Sequence, residues 1–181
     1  MGRHRPAGHS AIKSRGTARV DVGGNAKGYA IDLAVRAMQA AGARGGLVDV
    51  GGDLRFFGEA PDGVAWTIDI RHPDGRSVYR SLALTGDRAV CTSGNYARFA
   101  EIGGRRFSHI IDPRSGWPAD ATPSVTVIGP DTLTVDTWAT ALSVLGPEGL
   151  ARLPENLDAL ILTLAIDGTI VEHRSPSFPQ P

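Results

Sequence analysis

Only two stretches of this chain sustain an apolar period of three to four residues. Everything else breaks into short β-branched runs divided by glycine, proline and Asp-Gly turns. The first helical stretch follows "VDVGGNAKG" and sets Ile31, Ala34, Val35 and Met38 on one face before Gly42. The second, "DTLTVDTWATALSVLG", opens at Pro130 and Asp131, carries Leu133, Ala139, Leu142 and Leu145, and stops at Gly146 and Pro147. Two helices among many hairpins cannot alternate regularly with parallel strands. The pattern therefore predicts an α+β fold of mixed or antiparallel hairpins with two main helices.

The strand pattern fills in around them. Residues 19–22 read as a strand entering the glycine turn, and "LVDV" (47–50) as a short buried strand turned by "GGD" into "LRFFG". Residues 66–70 and 77–84 flank "RHPDGR", whose Pro-Asp-Gly is hairpin chemistry. "YARFAEI" and "RRFSHIID" flank a Gly-Gly pair and end at "DPRSG". "SVTVIG" (124–129) alternates as a strand, and "LDALILTLAIDGTIVEH" gives two more around Asp167 and Gly168. Residues 1–18 read as a disordered basic lead-in and 19–181 as one domain.

Charge and cysteine usage exclude several functions. Lys and Arg together number 19, as do Asp and Glu, so no overall basic field is available to hold nucleic acid. Cys91 is the only cysteine, which rules out an intrachain disulfide and an all-cysteine metal site. No apolar run reaches the roughly 18 residues of a membrane span. "MGRHRPAGHSAIKSRG" is basic without an apolar middle, so it does not read as a secretory signal.

Several residues stand out for chemistry. At "GGNAKG" small residues open the backbone beside a helix start, and Lys27 adds charge. That suits an oxyanion, and equally suits tight packing. Asp21 sits beside the turn. Asp136 and Thr140 lie at i and i+4, sharing one helix face, and offer the carboxylate and hydroxyl a hard cation takes; a solvated face is the alternative. "TSGNYARFAEIGGRRFSHIIDPRSG" gathers Ser93, Tyr96, His109 and Asp112, with His109 placed as a base or as a strand-end partner. Asp53 and Asp112 read first as turn formers, and Cys91 as a buried thiol. His4, His9, His72 and His173 form no ligand pair.

The order of these segments resembles the FAD:protein FMN transferases of the ApbE family. The resemblance is carried by "DVGGNAKGYAID", "LVDVGGDLRFFG", "TSGNYARF", "FSHIIDPRSGWP", "SVTVIGP", "DTWATALSVLGP" and the terminal "SPSF". It implies an ApbE-like (T-fold-like) C-terminal domain without the family's N-terminal half. It also implies Mg²⁺-dependent transfer of FMN from FAD to a Ser or Thr hydroxyl of a target flavoprotein, releasing AMP. Asp136, Thr140 and the Gly24 carbonyl would hold Mg²⁺, and Asp21, Lys27, Gly52 and Ile111 would meet FAD. His109 is the candidate base, beside Asp136 and Thr140 as catalytic residues. Ala139 stands where the family helix often carries a second carboxylate. The partners that the resemblance implies are FAD, the target flavoprotein, and a homo-oligomer or a completing N-terminal partner. The family is often periplasmic and membrane-anchored, whereas a complete chain of this length would be cytoplasmic. The alternatives are a Mg²⁺-dependent FAD pyrophosphatase and a non-catalytic flavin-binding or assembly module.

Overall fold

A computed structural model describes residues 6–7, 10–61, 63–94 and 99–180. Their order is β1 (Pro6–Ala7), β2 (Ser10–Ala11), α1 (Ala26–Ala40), β3 (Gly45–Val50), β4 (Asp53–Gly58), β5 (Trp66–Arg71), β6 (Val78–Leu84) and β7 (Arg88–Gly94). There follow β8 (Phe99–Ile102), β9 (Arg105–Ser108), β10 (Ser124–Gly129), α2 (Thr132–Leu145), a short 3-10 turn, β11 (Asp158–Leu164) and β12 (Ile170–Arg174). Six strands form one antiparallel sheet in the order β12-β11-β10-β7-β4-β3. The α+β expectation holds.

Each face of this sheet is covered differently. The β5–β6 hairpin lies over one face and buries Ile68, Ile70, Leu82 and Leu84 against Phe56, Val90, Ile128 and Leu160. On the other face α2 crosses β7 and β10, packing Val135, Ala139 and Leu142 on Cys91, Val125 and Val127. Beside it α1 lies over β3 and β4 and against α2, with Ile31 and Val35 fully buried. Each large apolar side chain sequestered in this way contributes about 1.5–3 kcal/mol.

Two strand expectations need correction. Residues 19–22 do not join a sheet: Val20 and Val22 stay exposed and find no ladder partner among the described residues. The 47–50 stretch is not buried, because β3 is the sheet edge and leaves Leu47 and Val50 partly open. β10 forms over the expected residues and is buried on both faces, since hairpin and helix sandwich it. The central strand β7 carries no alternation in sequence for the same reason. Pro6–Ala7 and Ser10–Ala11 pair as a two-residue ladder within the segment read as a lead-in. Among the described residues no helix is long and apolar enough to cross a membrane.

Candidate functional site

The site begins with a turn. Val50 pairs with Asp53 across Gly51 and Gly52, and both glycines have positive φ (65° and 91°), as a two-residue hairpin turn of the I′ kind requires. That register puts Asp53 and Arg55 on the helix-facing side of β4. Asp53 is 1% exposed, ion-paired with Lys27 of α1, and accepts the Thr92 N–H at 3.3 Å. Expected mainly as a turn former, Asp53 is instead a buried anchor of the site. Two residues along, Arg55 Nη1 donates to Asp32 Oδ1 at 2.6 Å. Burial alone would raise the Asp32 carboxyl. The Thr132 and Leu133 amides and the Arg55 guanidinium outweigh it and hold the group below the usual carboxylate range.

α2 supplies the second wall. Asp131 caps it in the ordinary way, accepting the Thr134 N–H at 2.8 Å. Asp136 is 3% exposed, so the solvated-face alternative does not hold. Its Oδ2 accepts the Gly28 N–H at 3.1 Å. Thr137, not Thr140, is seen bonding back to a carbonyl, that of Leu133. Gly28 permits this approach because a Cβ there would meet the Thr132 carbonyl and lie 2.8 Å from Leu133 Cα. Gly24 faces Thr140 less tightly: an added Cβ would sit 3.3 Å from Thr140 Oγ1. The helix turn thus brings Gly24, Asp136 and Thr140 together.

Asp136 and Thr140 border a cavity of about 70 Å³ that is also lined by Gly23, Lys27, Ser93 and His109. A buried carboxylate, a cation, two hydroxyls and an imidazole therefore face one small space, a set able to hold and orient a charged oxygen-rich ligand. Among the described residues no three His, Cys, Asp or Glu side chains gather as a metal cluster. Any cation here would rely on one carboxylate with neutral oxygens, the donor type that hard ions accept.

Other expected site residues lie apart from this cavity. Asp21 is exposed and accepts the Gly23 N–H at 2.7 Å. Gly52 donates to Asp49 Oδ1, and its neighbour Gly51 borders the cavity instead. Ile111 is half exposed and bridges to Pro118, outside the cavity lining. Asp112 is the turn former expected, its carboxyl held low by the Arg114 guanidinium and N–H. Tyr96 lies outside the described residues. Cys91 is buried as expected, and burial, with the nearby Asp136 charge, pushes its thiol far up, so it is inert. His173 bonds Thr163 Oγ1 and His72 joins Asp74.

Sequence reasoning missed Asp32, Arg55 and Thr92. Asp32 had a readable signal, a carboxylate between Ile31 and Val35 on the buried face of α1. Thr92 sits in the strand that went unread.

The ApbE family model matches residues 3–161 of the chain. The chain belongs to the ApbE family. It is 38% identical over 163 residues to the FAD:protein FMN transferase of Vibrio cholerae, covering 88% of this chain and 48% of that protein. The FAD:protein FMN transferase of Rhodobacter capsulatus is 36% identical over 164 residues, with 90% of this chain and 31% of the relative covered. The solved flavin transferase ApbE from Vibrio cholerae superposes with a TM-score of 0.84 at 34% identity, covering 97% of this chain and 56% of that one. The ApbE protein from Thermotoga maritima gives 0.77 at 33% identity, covering 88% and 52%. This ApbE chain therefore spans between about a third and a little over half of the length of these relatives.

Proposed function

We propose that this chain forms the cation- and pyrophosphate-facing part of a flavin transferase that moves FMN from FAD to a Ser or Thr hydroxyl of a target flavoprotein. The observation that carries the reading is Asp136, a buried carboxylate held by the Gly28 amide and opening on the same cavity as Thr140, Lys27 and His109. Relatives named for this transfer support it.

In the reaction, the acceptor hydroxyl oxygen forms a bond to the FMN phosphorus as the pyrophosphate P–O bond breaks. AMP leaves with the bridging oxygen, and the hydroxyl proton passes to a base. The residues fit Mg²⁺ by donor chemistry, with Asp136, Thr140 and the Gly24 carbonyl as its holders. When bound, such an ion neutralises pyrophosphate oxygens and aligns an in-line displacement. Lys27 adds positive charge on the α1 side, and Asp53 fixes where that charge sits. In this reading His109, which is exposed at the cavity edge, takes the proton from the incoming hydroxyl. Ser93 and Thr140 present hydroxyls that orient the ligand.

The test is incubation with FAD, Mg²⁺ and a target flavoprotein carrying its acceptor threonine, read by mass spectrometry and by flavin fluorescence. FMN-modified protein with AMP release is the expected result. Free FMN with AMP would mark a pyrophosphatase, and FAD binding without turnover would mark a binding module. Asp136→Ala removes the one ionised oxygen donor and is expected to lower metal-dependent turnover by roughly a hundredfold or more. Unchanged turnover in that variant would remove Asp136 from the site.

A further inference from the structure

The two helices that wall the cavity cap each other. The first-turn amides of any α-helix lack partners within it. Asn25, at the N-cap of α1, makes no side-chain bond to them. The Gly28 N–H, in that first turn, is met instead by Asp136 of α2. In return the Thr132 and Leu133 amides, in the first turn of α2, donate at 2.9 and 3.0 Å to the two oxygens of Asp32 on α1. Each N-terminus thus receives a carboxylate from the partner helix, where the positive end of the helix favours negative charge. Asp131 serves α2 one residue further on, at Thr134, so Asp32 does not duplicate it. Arg55 on β4 holds the same Asp32 carboxylate, tying the helix pair to the sheet.

We propose that Asp32 is a positioning residue: its buried carboxylate clamps the first turn of α2 to α1 and so sets the Asp136 carboxylate where it faces the cavity. The connection is short. Asp136 begins one turn after Thr132, on a helix whose start is fixed by Asp32, and its own oxygen returns to α1 at Gly28, one turn before Asp32. Loosening either cap shifts the helix crossing and with it the spacing of Gly24, Asp136 and Thr140. The bearing of this clamp on a cation rests on the function proposed above, whereas its bearing on the Asp136–Gly28 bond does not.

Asp32→Asn keeps the shape but sets an amide group against backbone donors, so one cap bond is lost. The experiment compares the full chain with this variant by amide hydrogen exchange and by Mn²⁺ titration followed by electron paramagnetic resonance. Exchange protection at Gly28 is expected to fall roughly tenfold or more, and Mn²⁺ affinity roughly 10- to 100-fold. Val35→Ala, a buried change on the same helix, serves as the control: it lowers the melting temperature but leaves both readouts in place. Arg55→Gln, which retains both α2 cap bonds, is expected to give the same pattern at smaller size and stands in if Asp32→Asn does not fold. Gly28 protection unchanged in Asp32→Asn, or falling equally in Val35→Ala, overturns the inference. So does unchanged Mn²⁺ affinity where the parent chain binds the ion. If the parent chain takes up no Mn²⁺ while Gly28 protection falls selectively, the clamp stands and the cation reading above fails.

Discussion

The two faces of the central sheet are built on opposite principles. Under the β5–β6 hairpin the buried contacts come from aliphatic and aromatic side chains, with Phe56, Ile70, Leu82 and Leu160 nearly sealed from water. The helix face is apolar under α2 and mixed under α1, where Ile31, Val35 and Phe57 are buried beside charged groups. Toward α1 it carries the Lys27–Asp53 and Asp32–Arg55 pairs and the Asp136–Gly28 bond. Buried ion pairs are weak sources of net stability, because desolvation offsets much of their attraction. The hairpin face therefore holds the fold, while the α1 flank spends stability on placing charges. One chain separates the two tasks by strand parity: Leu54 and Phe56 point one way from β4, Asp53 and Arg55 the other.

The division can be broken most forcefully at Phe56. Phe56→Ala is expected to cost about 3–5 kcal/mol of unfolding free energy, measured by denaturant titration, with little change in ligand affinity of the molecules still folded. An equal loss of affinity would mean that the two faces are not separable. Asp53→Asn should show the reverse balance. Lys27 is 29% exposed and can turn to water, so the stability cost is smaller, about 1–3 kcal/mol, while FAD affinity falls as the Lys27 charge loses its anchor. Wild-type affinity in that variant would separate Lys27 from the ligand.

The smallest effect is expected in acid. Because the folded state holds the Asp32 carboxyl below its ordinary value of 3.8, its contribution to stability is present above that value and is lost as pH falls below it. The urea midpoint of the parent chain should therefore drop more steeply than that of Asp32→Asn between about pH 5 and about pH 3. Parallel curves would show that Asp32 adds nothing through its charge.

Legibility in the sequence followed the same division. Both helices, the Trp66–Leu84 hairpin and the Asp136–Thr140 pairing were readable, since each depends on local periodicity or on turn residues a few positions apart. The family motifs likewise led to the cavity shared by Lys27, His109, Asp136 and Thr140. What escaped depends on partners distant in the chain. β7 is buried on both sides and so has no polar face to mark its period. Asp32 looks like a polar interruption of a helix until Thr132, a hundred residues on, is placed against it. Asp53 sits where a turn former belongs, and only the arrival of Lys27 and Thr92 gives it another role. Ile111 and Gly52, which the family motifs assign to FAD, lie outside the lining of this small cavity.

The bare backbone at Gly28 has one more consequence. With the Thr132 carbonyl and Leu133 Cα occupying the space any side chain would need, no single replacement there can be accepted without prising the helices apart. The floor of the cleft is thereby built from backbone alone, so a side chain introduced at Gly28 disturbs the helix crossing and the Asp136 bond in one stroke.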